Sequence, residues 1–471
     1  MPESLVLFGT GLLTGFIPGL PAVLVDPNLV LNLFLPPLLY ASTVRVSWHL
    51  LRFTLLPGVA LGVALVLTTI GAVAVAAGGL LLPGLPWTAA LLLGVVAAVF
   101  DTRLFHEAEG RPHVPRAIAD TLKARELVAR IVILATYALA LDAAKSGRIS
   151  VWTALDRYVL DIPAGILLGA GIGLAIVWAR KRIDPAPVEI AVSVATPYAA
   201  ALGAHALDVS VVAAITTAAL VVSAIRIDRE TGAPISSSET RVSATAFWEQ
   251  ANLMVSSVLF FLAGRALPDA TAALKEWPFW RLAACAAGLL GIVVAVQFAF
   301  SLAATALKPI ADALQDRRPG GSRLAAAGVM TWASTRSVIA LVIGLAIPAT
   351  LPDGRPFPDR DLILVIAALL VVGSVVIQGL SLRVVVSRAD LCEEGEEQRE
   401  EEIARHAIAE AVAAPGREHA NGFDAARQTL LSLRERDRIG DEVLVRMLRE
   451  TDLSARASEK SALPGAGPPN P

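Results

Sequence analysis

Apolar residues run through positions 1–385 in long blocks separated by short polar stretches, then give way to a segment dense in Glu and Arg over 393–460. A helix needs about 20 predominantly apolar residues to cross a bilayer. The pattern predicts twelve such segments, near 4–20, 27–41, 53–77, 83–100, 119–144, 158–179, 188–206, 209–225, 245–264, 280–307, 324–349 and 361–382. The second is short and holds Pro36-Pro37. Every block has helical length, and the alternating ten-residue pattern of a membrane β-barrel is absent. The chain reads as an all-α polytopic membrane protein of about 12 transmembrane helices over 1–388, with a small helical tail over 389–471.

Composition agrees: 55% of the 471 residues are hydrophobic, and the mean hydropathy is +0.63, well above a soluble average. Lys and Arg set the orientation. Clusters at Arg45/Arg52, Arg103–Arg125, Arg180–Arg182, Arg226/Arg229/Arg241 and Lys308–Arg323 fall on alternate loops, on the side of the tail. The loops near 21–26, 78–82 and 207–208 carry neither residue, although Lys145 and Arg148 lie against the trend. Both termini are therefore expected in the cytoplasm, with the chain in the cell (inner) membrane. The first apolar segment lacks a basic leader, so no cleavable signal is expected. Cys285 and Cys392 form no disulfide framework. In the tail, helices are predicted over Glu393–Glu410 and Asp424–Leu453, broken by Ala413-Ala414-Pro415-Gly416, and Leu463–Pro471 reads as disordered. Leu430, Leu433, Val443, Val445 and Leu448 give the second tail helix an apolar stripe. Such a tail would gate or dimerise the membrane part, or simply be a solvated appendage.

The spans carry groups that a plain helical bundle does not need. Asp101, Lys123, Arg125, Glu126 and Arg130 lie between or within the fourth and fifth apolar blocks, and Arg336 sits in the middle of the eleventh. A charge at membrane depth costs roughly 2.5–3.5 kcal/mol on insertion scales, which makes each a candidate for function. Pro36-Pro37 and Pro197 interrupt spans, and membranes tolerate such breaks where protein or a water-filled cavity serves the freed backbone. Broken helices are also how many transporters build ion sites.

Several segments resemble the monovalent cation:proton antiporter (sodium/proton exchanger) family, in its bacterial branch. Phe34-Leu35-Pro36-Pro37-Leu38-Leu39-Tyr40 is similar to its Phe-Leu-Pro-Pro segment, and Thr331–Leu341 to its Gly-Trp-Ala-Gly-Met-Arg-Gly helix. Phe247-Trp248-Glu249 with Leu259–Gly264, Phe357–Leu362, Gln378-Gly379-Leu380 and Arg438–Val443 match as well, so the resemblance covers nearly the whole chain. It implies two inverted repeats with crossed broken helices, a homodimer, and exchange of sodium, potassium or lithium for protons. In that family the carboxylates of a Thr-Asp-Pro motif and, 29 residues on, an Asn-Asp motif hold cation and proton in turn. Hard cations want oxygen ligands, and a partly desolvated carboxylate has its pKa raised, so that cation and proton compete for it. The family commonly has one further N-terminal span; Leu5–Pro21 resembles its second hydrophobic segment, so that first helix is expected to be absent here.

The chain departs from the family at the site itself. Asp101 falls on the first motif's Asp, between Phe100 and Thr102, while the second motif reads Ala129-Arg130. Val114-Pro115 is in register with a family Val-Pro, which supports that gapless count. The family's Glu-Gly-Glu-Ser reads Lys123-Ala124-Arg125-Glu126, and its apolar half-helix after Asp101 is replaced by Arg103–Glu109. The family pattern implies a net charge of −2; here Asp101 and Glu126 face Arg125, Arg130 and Arg336, a net of +1. Two unit charges about 5 Å apart interact by about 3 kcal/mol at an effective dielectric of 20, and Arg does not deprotonate. Glu126 precedes Arg130 by four residues, the favourable order for a helix ion pair.

Four readings of these residues stay open. Asp101, Thr102 and Glu126 form a relocated cation and proton site, with Arg130 swinging between the carboxylates. Arg130 is a permanent tethered cation and exchange is lost. The positive funnel Arg103–Arg130 admits an anion. Or Glu126–Arg130 is a structural pair on an amphipathic helix. Arg125, Arg130 and Arg336 are the charge-compensating candidates, and Arg336, braced in the family by a Glu, would take Glu126 or Asp101 as partner. His205 and Asp208 read as interfacial, Glu249 as a carboxylate at a helix beginning, and His106 and His113 as a solvated loop or a pH sensor. No phosphate loop, metal-ligand spacing or nucleophile triad is present, so neither an enzyme nor a cofactor nor a nucleic-acid partner is indicated. The expected function is an antiporter exchanging monovalent cations for protons through a rewired site, with a transport-inactive scaffold or an anion carrier as alternatives.

Overall fold

The structure is a computed structural model that describes residues 3–17, 26–44, 48–102, 116–147, 152, 157–182, 186–225, 235–236, 238–274, 277–307, 323–351, 353–389, 396–413, 419–436 and 438–462. The membrane part contains helices α1 (Glu3–Gly15), α2 (Pro27–Leu29), α3 (Leu35–Thr43), α4 (Trp48–Ala76), α5 (Trp87–Ala98), α6 (Arg116–Ser146), α7 (Ile162–Arg180), α8 (Ala186–Ala206), α9 (Val211–Ala224), α10 (Ser238–Ala273), α11 (Phe279–Ala304), α12 (Arg323–Trp332), α13 (Val338–Leu345), α14 (Arg360–Ser374) and α15 (Leu380–Arg388). The tail forms α16 (Glu396–Ala413), α17 (His419–Glu435) and α18 (Asp441–Ala462). Seven helices among the described residues are long and apolar enough to cross a membrane. The remaining expected spans are shorter or broken.

The breaks follow from the backbone. The segment 27–43 turns π-helical over Val30–Phe34, just before Pro36-Pro37. Pro37 has no N–H for the carbonyl four residues back, and the Tyr198 hydroxyl donates to that Leu33 oxygen at 3.0 Å. Another π-helical stretch, Val375–Gly379, joins α14 to α15.

Close helix approach depends on glycine at several seams, the α7–α9 and α1–α10 contacts among them. A Cβ on Gly169 of α7 would lie 2.2 Å from the Ala214 carbonyl oxygen of α9, and one on Gly264 of α10 would lie 2.2 Å from that of Phe8 in α1. The packing sorts the membrane helices into two groups. One contains α4, α5, α6, α11, α12, α13 and α14; the other contains α1, α3, α7, α8, α9 and α10. Between them, α10 packs on α13 and α14, and α9 on α4 and α6.

The tail differs from expectation in one respect. The segment 424–453 is two helices, because the chain breaks between α17 and α18, where the Ile439 side chain turns into the tail core and the Gly440 N–H donates to Glu400 at 2.6 Å. Leu430, Val443 and Leu448 are buried as the stripe requires, but Val445 is exposed. Cys392, His106, His113, the Arg103–Glu109 stretch and the end Leu463–Pro471 fall outside the described residues. Glu249 stands well inside α10 and is exposed, away from the helix beginning where it was expected.

Candidate ion site

Two helices stop in mid-protein and their unwound ends cross. α5 is apolar throughout and ends at Ala98; the chain continues extended through Val99 and the short strand β1 (Phe100–Asp101). α12 ends at Trp332, and after Ala333 and Ser334 the strand β2 (Thr335–Arg336) leads into α13. The strands pair antiparallel, Phe100 opposite Arg336 and Asp101 opposite Thr335. Hydroxyl side chains compete with helical backbone bonding, and the run Ser334-Thr335-Arg336-Ser337 places three of them at the break. Each serves a group the break frees: Ser334 Oγ donates to Met330 O (2.9 Å), Thr335 Oγ1 to Asp101 O (3.2 Å), and Ser337 Oγ accepts from Ile339 N (3.2 Å). From α14, Ser374 Oγ accepts from Arg336 N at 2.9 Å.

The crossing brings together six of the residues singled out from sequence, while Lys123 on α6 stays half-buried. Asp101, Thr102, Arg125, Glu126, Arg130 and Arg336 are each less than a tenth exposed. Their hydrogen bonds divide them into two clusters. In the carboxylate cluster, Glu126 Oε2 accepts from both the backbone N–H (3.1 Å) and the hydroxyl (2.6 Å) of Thr102. Glu126 Oε1 accepts from Arg130 Nη2, which also lies 4.0 Å from Asp101 Oδ2. Arg130 Nη1 donates to Ser42 on α3, and Ser337 Oγ lies 3.4 Å from Asp101 Oδ2. One guanidinium thus stands between two carboxylates.

In the guanidinium cluster, Arg336 takes neither carboxylate, contrary to expectation. Its Nη1 donates to Ala97 O (2.8 Å) and its Nη2 to Gln297 Oε1 (2.8 Å) and Ser334 O (3.0 Å). The reason is geometric: the unwound ends of α5 and α12 present unserved carbonyls beside it, and a helix C-terminus carries roughly half a negative charge. Arg125 donates to Ser301 Oγ (3.2 Å) and Ser334 Oγ (3.0 Å). The Phe100 ring accepts both cations over its faces, Arg125 at 5.4 Å and Arg336 at 5.9 Å from the centroid.

Sequence reasoning passed over Ser42, Gln297 and Ser301, which hold these arginines. Gln297 carried a signal, a lone amide in the middle of an apolar block; a serine in a membrane helix carries none. The oxygens able to hold a hard monovalent cation are those of Asp101, Glu126 and Thr102. Their position between two broken helices, deep in the protein, suits an ion that sheds its water.

Comparisons with known proteins agree with this fold. The family described as sodium/hydrogen exchanger, transmembrane, matches residues 1–388. The chain is similar to an uncharacterised Na(+)/H(+) exchanger of Mycobacterium tuberculosis, 30% identical over 417 residues, covering 87% of this chain and 74% of the relative. It is also similar to a sodium, potassium, lithium and rubidium/H(+) antiporter of Bacillus pumilus, 24% identical over 402 residues, 83% of this chain and 58% of that one. Among solved structures, the sodium proton antiporter MjNhaP1 from Methanocaldococcus jannaschii aligns with a TM-score of 0.61 at 13% identity, over 83% of this chain and 93% of that chain.

Proposed function

This chain belongs to the transmembrane sodium/hydrogen exchanger family, and on that premise we propose that it exchanges a monovalent cation for protons at Asp101, Thr102 and Glu126, with Arg130 as a built-in competitor. It is a multi-pass membrane transporter, not an enzyme. The observation that carries the reading is the single guanidinium of Arg130 held between two buried carboxylates at the helix crossing. Asp101 and Glu126 contribute two negative charges and Arg130 one positive, so this cluster has a net charge of −1. One proton or one monovalent cation brings it to neutrality. Arg125 and Arg336 donate to hydroxyls, an amide and helix-end carbonyls, which offset part of their charge, although Arg125 still feels the charge of Glu126. The ion is sodium, potassium or lithium, the unit that transports is 1–388, and the reading includes a homodimer in the cell membrane with the 389–471 tail on the cytoplasmic side.

The test is proton flux in proteoliposomes, followed with a pH-sensitive dye on adding sodium, potassium or lithium. The native protein is expected to dissipate a pH gradient, and Glu126→Gln, which removes the titrating group, to lose at least 90% of that rate, roughly the tenfold effect of a 1.4 kcal/mol loss. A Glu126→Gln variant as active as the native protein refutes the site. The close Glu126–Arg130 contact also favours a second reading, a transport-inactive member whose site Arg130 keeps filled. In that case the native protein is silent and Arg130→Asp conducts.

A further inference from the structure

We propose that Arg130 and Ser42 form a coupling clasp, which ties the two helix groups together while the site is unloaded and opens when a cation or proton takes the carboxylates. The inference rests on the exchange reading above and adds a residue to it. The site residues all belong to the first helix group: Asp101 follows α5, Arg125, Glu126 and Arg130 are on α6, and Arg336 lies between α12 and α13. Ser42 belongs to α3, in the second group. The Arg130 Nη1 bond to Ser42 therefore runs from the ion site across the boundary between the groups. Elsewhere on α6, Thr136 and Asp142 bond Tyr158 and Arg157 in the connection to α7, but neither of those bonds touches the site.

The chemistry of each partner fits a clasp. The Ser42 hydroxyl spends its proton on Leu39 O at 2.9 Å, so it faces Arg130 as an acceptor, the one role a guanidinium can answer. Arg130 Nε has no hydrogen-bond partner, so the guanidinium is held only through its two terminal nitrogens. One nitrogen faces the carboxylates and the other faces Ser42. The charged groups that face Arg130 are Glu126 on its own helix and Asp101 from the crossing; Arg125 and Arg336 are bound elsewhere. When both carboxylates are bare they fix the Nη2 edge, and the planar fork then presents Nη1 to Ser42. A proton or cation on Glu126 removes that orientation.

The consequence bears on coupling. Alternating access moves one helix bundle against the other around the site, and exchange stays coupled only if the unloaded carrier does not cross. A bond from the unloaded site to the other helix group supplies that restriction. A hydrogen bond to a charged donor is worth a factor of roughly ten to a hundred in population.

The test uses sodium-loaded proteoliposomes diluted into sodium-free buffer, with thiocyanate as permeant counter-anion. Sodium loss and internal pH are followed together, so the readout is the ratio of protons gained to sodium lost, which a general loss of stability does not alter. The native protein is expected to hold a fixed ratio, and Ser42→Thr, which keeps the acceptor, to match it. Ser42→Ala is expected to lower the ratio roughly tenfold or more while sodium loss continues. A Ser42→Ala variant with the native ratio overturns the clasp and leaves the exchange reading standing. The same assay is run with potassium- and lithium-loaded vesicles, and a native protein that moves none of the three cations overturns both.

Discussion

At the residue scale, the site is a problem of three arginines and two carboxylates buried together, solved by giving each cation a different acceptor. Arg336 is the clearest case, since its head binds two carbonyls and an amide and no carboxylate. Hydrogen bonds to a charged group contribute about 1.5–3 kcal/mol each. Arg336→Gln should therefore destabilise the protein by several kcal/mol in that sense, seen as a lower melting temperature in detergent. Arg336→Lys should recover only part, because an ammonium lacks the planar fork. Equal melting temperatures for all three proteins would contradict the bracing role. Arg130 differs in kind: its two bonded nitrogens serve opposite partners, which makes it the arginine whose contacts a bound ion would change.

At the element scale, helix seams are set by the absence of side chains. Gly169 and Gly171 stand on the same helix with opposite surroundings: a Cβ at the first would meet the Ala214 carbonyl oxygen at 2.2 Å, while one at the second meets nothing within 4 Å. Gly169→Ala should cost about 1–3 kcal/mol through forced separation of α7 and α9. Gly171→Ala should be neutral or stabilise by up to about 1 kcal/mol, the helix-propensity gain. Thermal melts of the two purified variants check both. The same scale holds the least expected secondary structure, a two-residue strand pair inside a helical protein. It exists because two helices that stop side by side leave bare backbone, which pairs strand to strand where hydroxyl side chains do not serve it.

At the scale of the whole molecule, the tail helices contact the membrane helices. Arg434 of α17 is buried and lies 3.6 Å from Asp120 of α6, and α18 packs on α10. Asp120 is six residues before Glu126 on the same helix. Asp120→Lys sets like charges against each other and should loosen the tail, raising the rate of limited proteolysis within 396–462 several-fold over the native protein. An unchanged rate would mean that the α10 contact alone seats the tail. Because α10 belongs to the second helix group and α6 to the first, the tail bridges both.

The hydrophobic pattern by itself determined the class, the positions of nearly all the helices and the identity of the charged residues at the site. Those follow from chain-local rules: apolar length for a span, proline for a break, and the cost of a charge in lipid for a functional candidate. Partnership was not legible. The spacing of four between Glu126 and Arg130 gave their contact, because a helix fixes that geometry. The acceptors of Arg336 did not follow from any spacing, since Ala97, Gln297 and Ser334 come from three separate segments. Likewise 88 residues separate Ser42 from Arg130, and only the tertiary fold makes them neighbours. The tail break before α18 was hidden too, because an apolar stripe continues in register across a loop when Ile439 fills the same core. Local rules set which residues are costly to bury; only the tertiary structure decides what each one meets there.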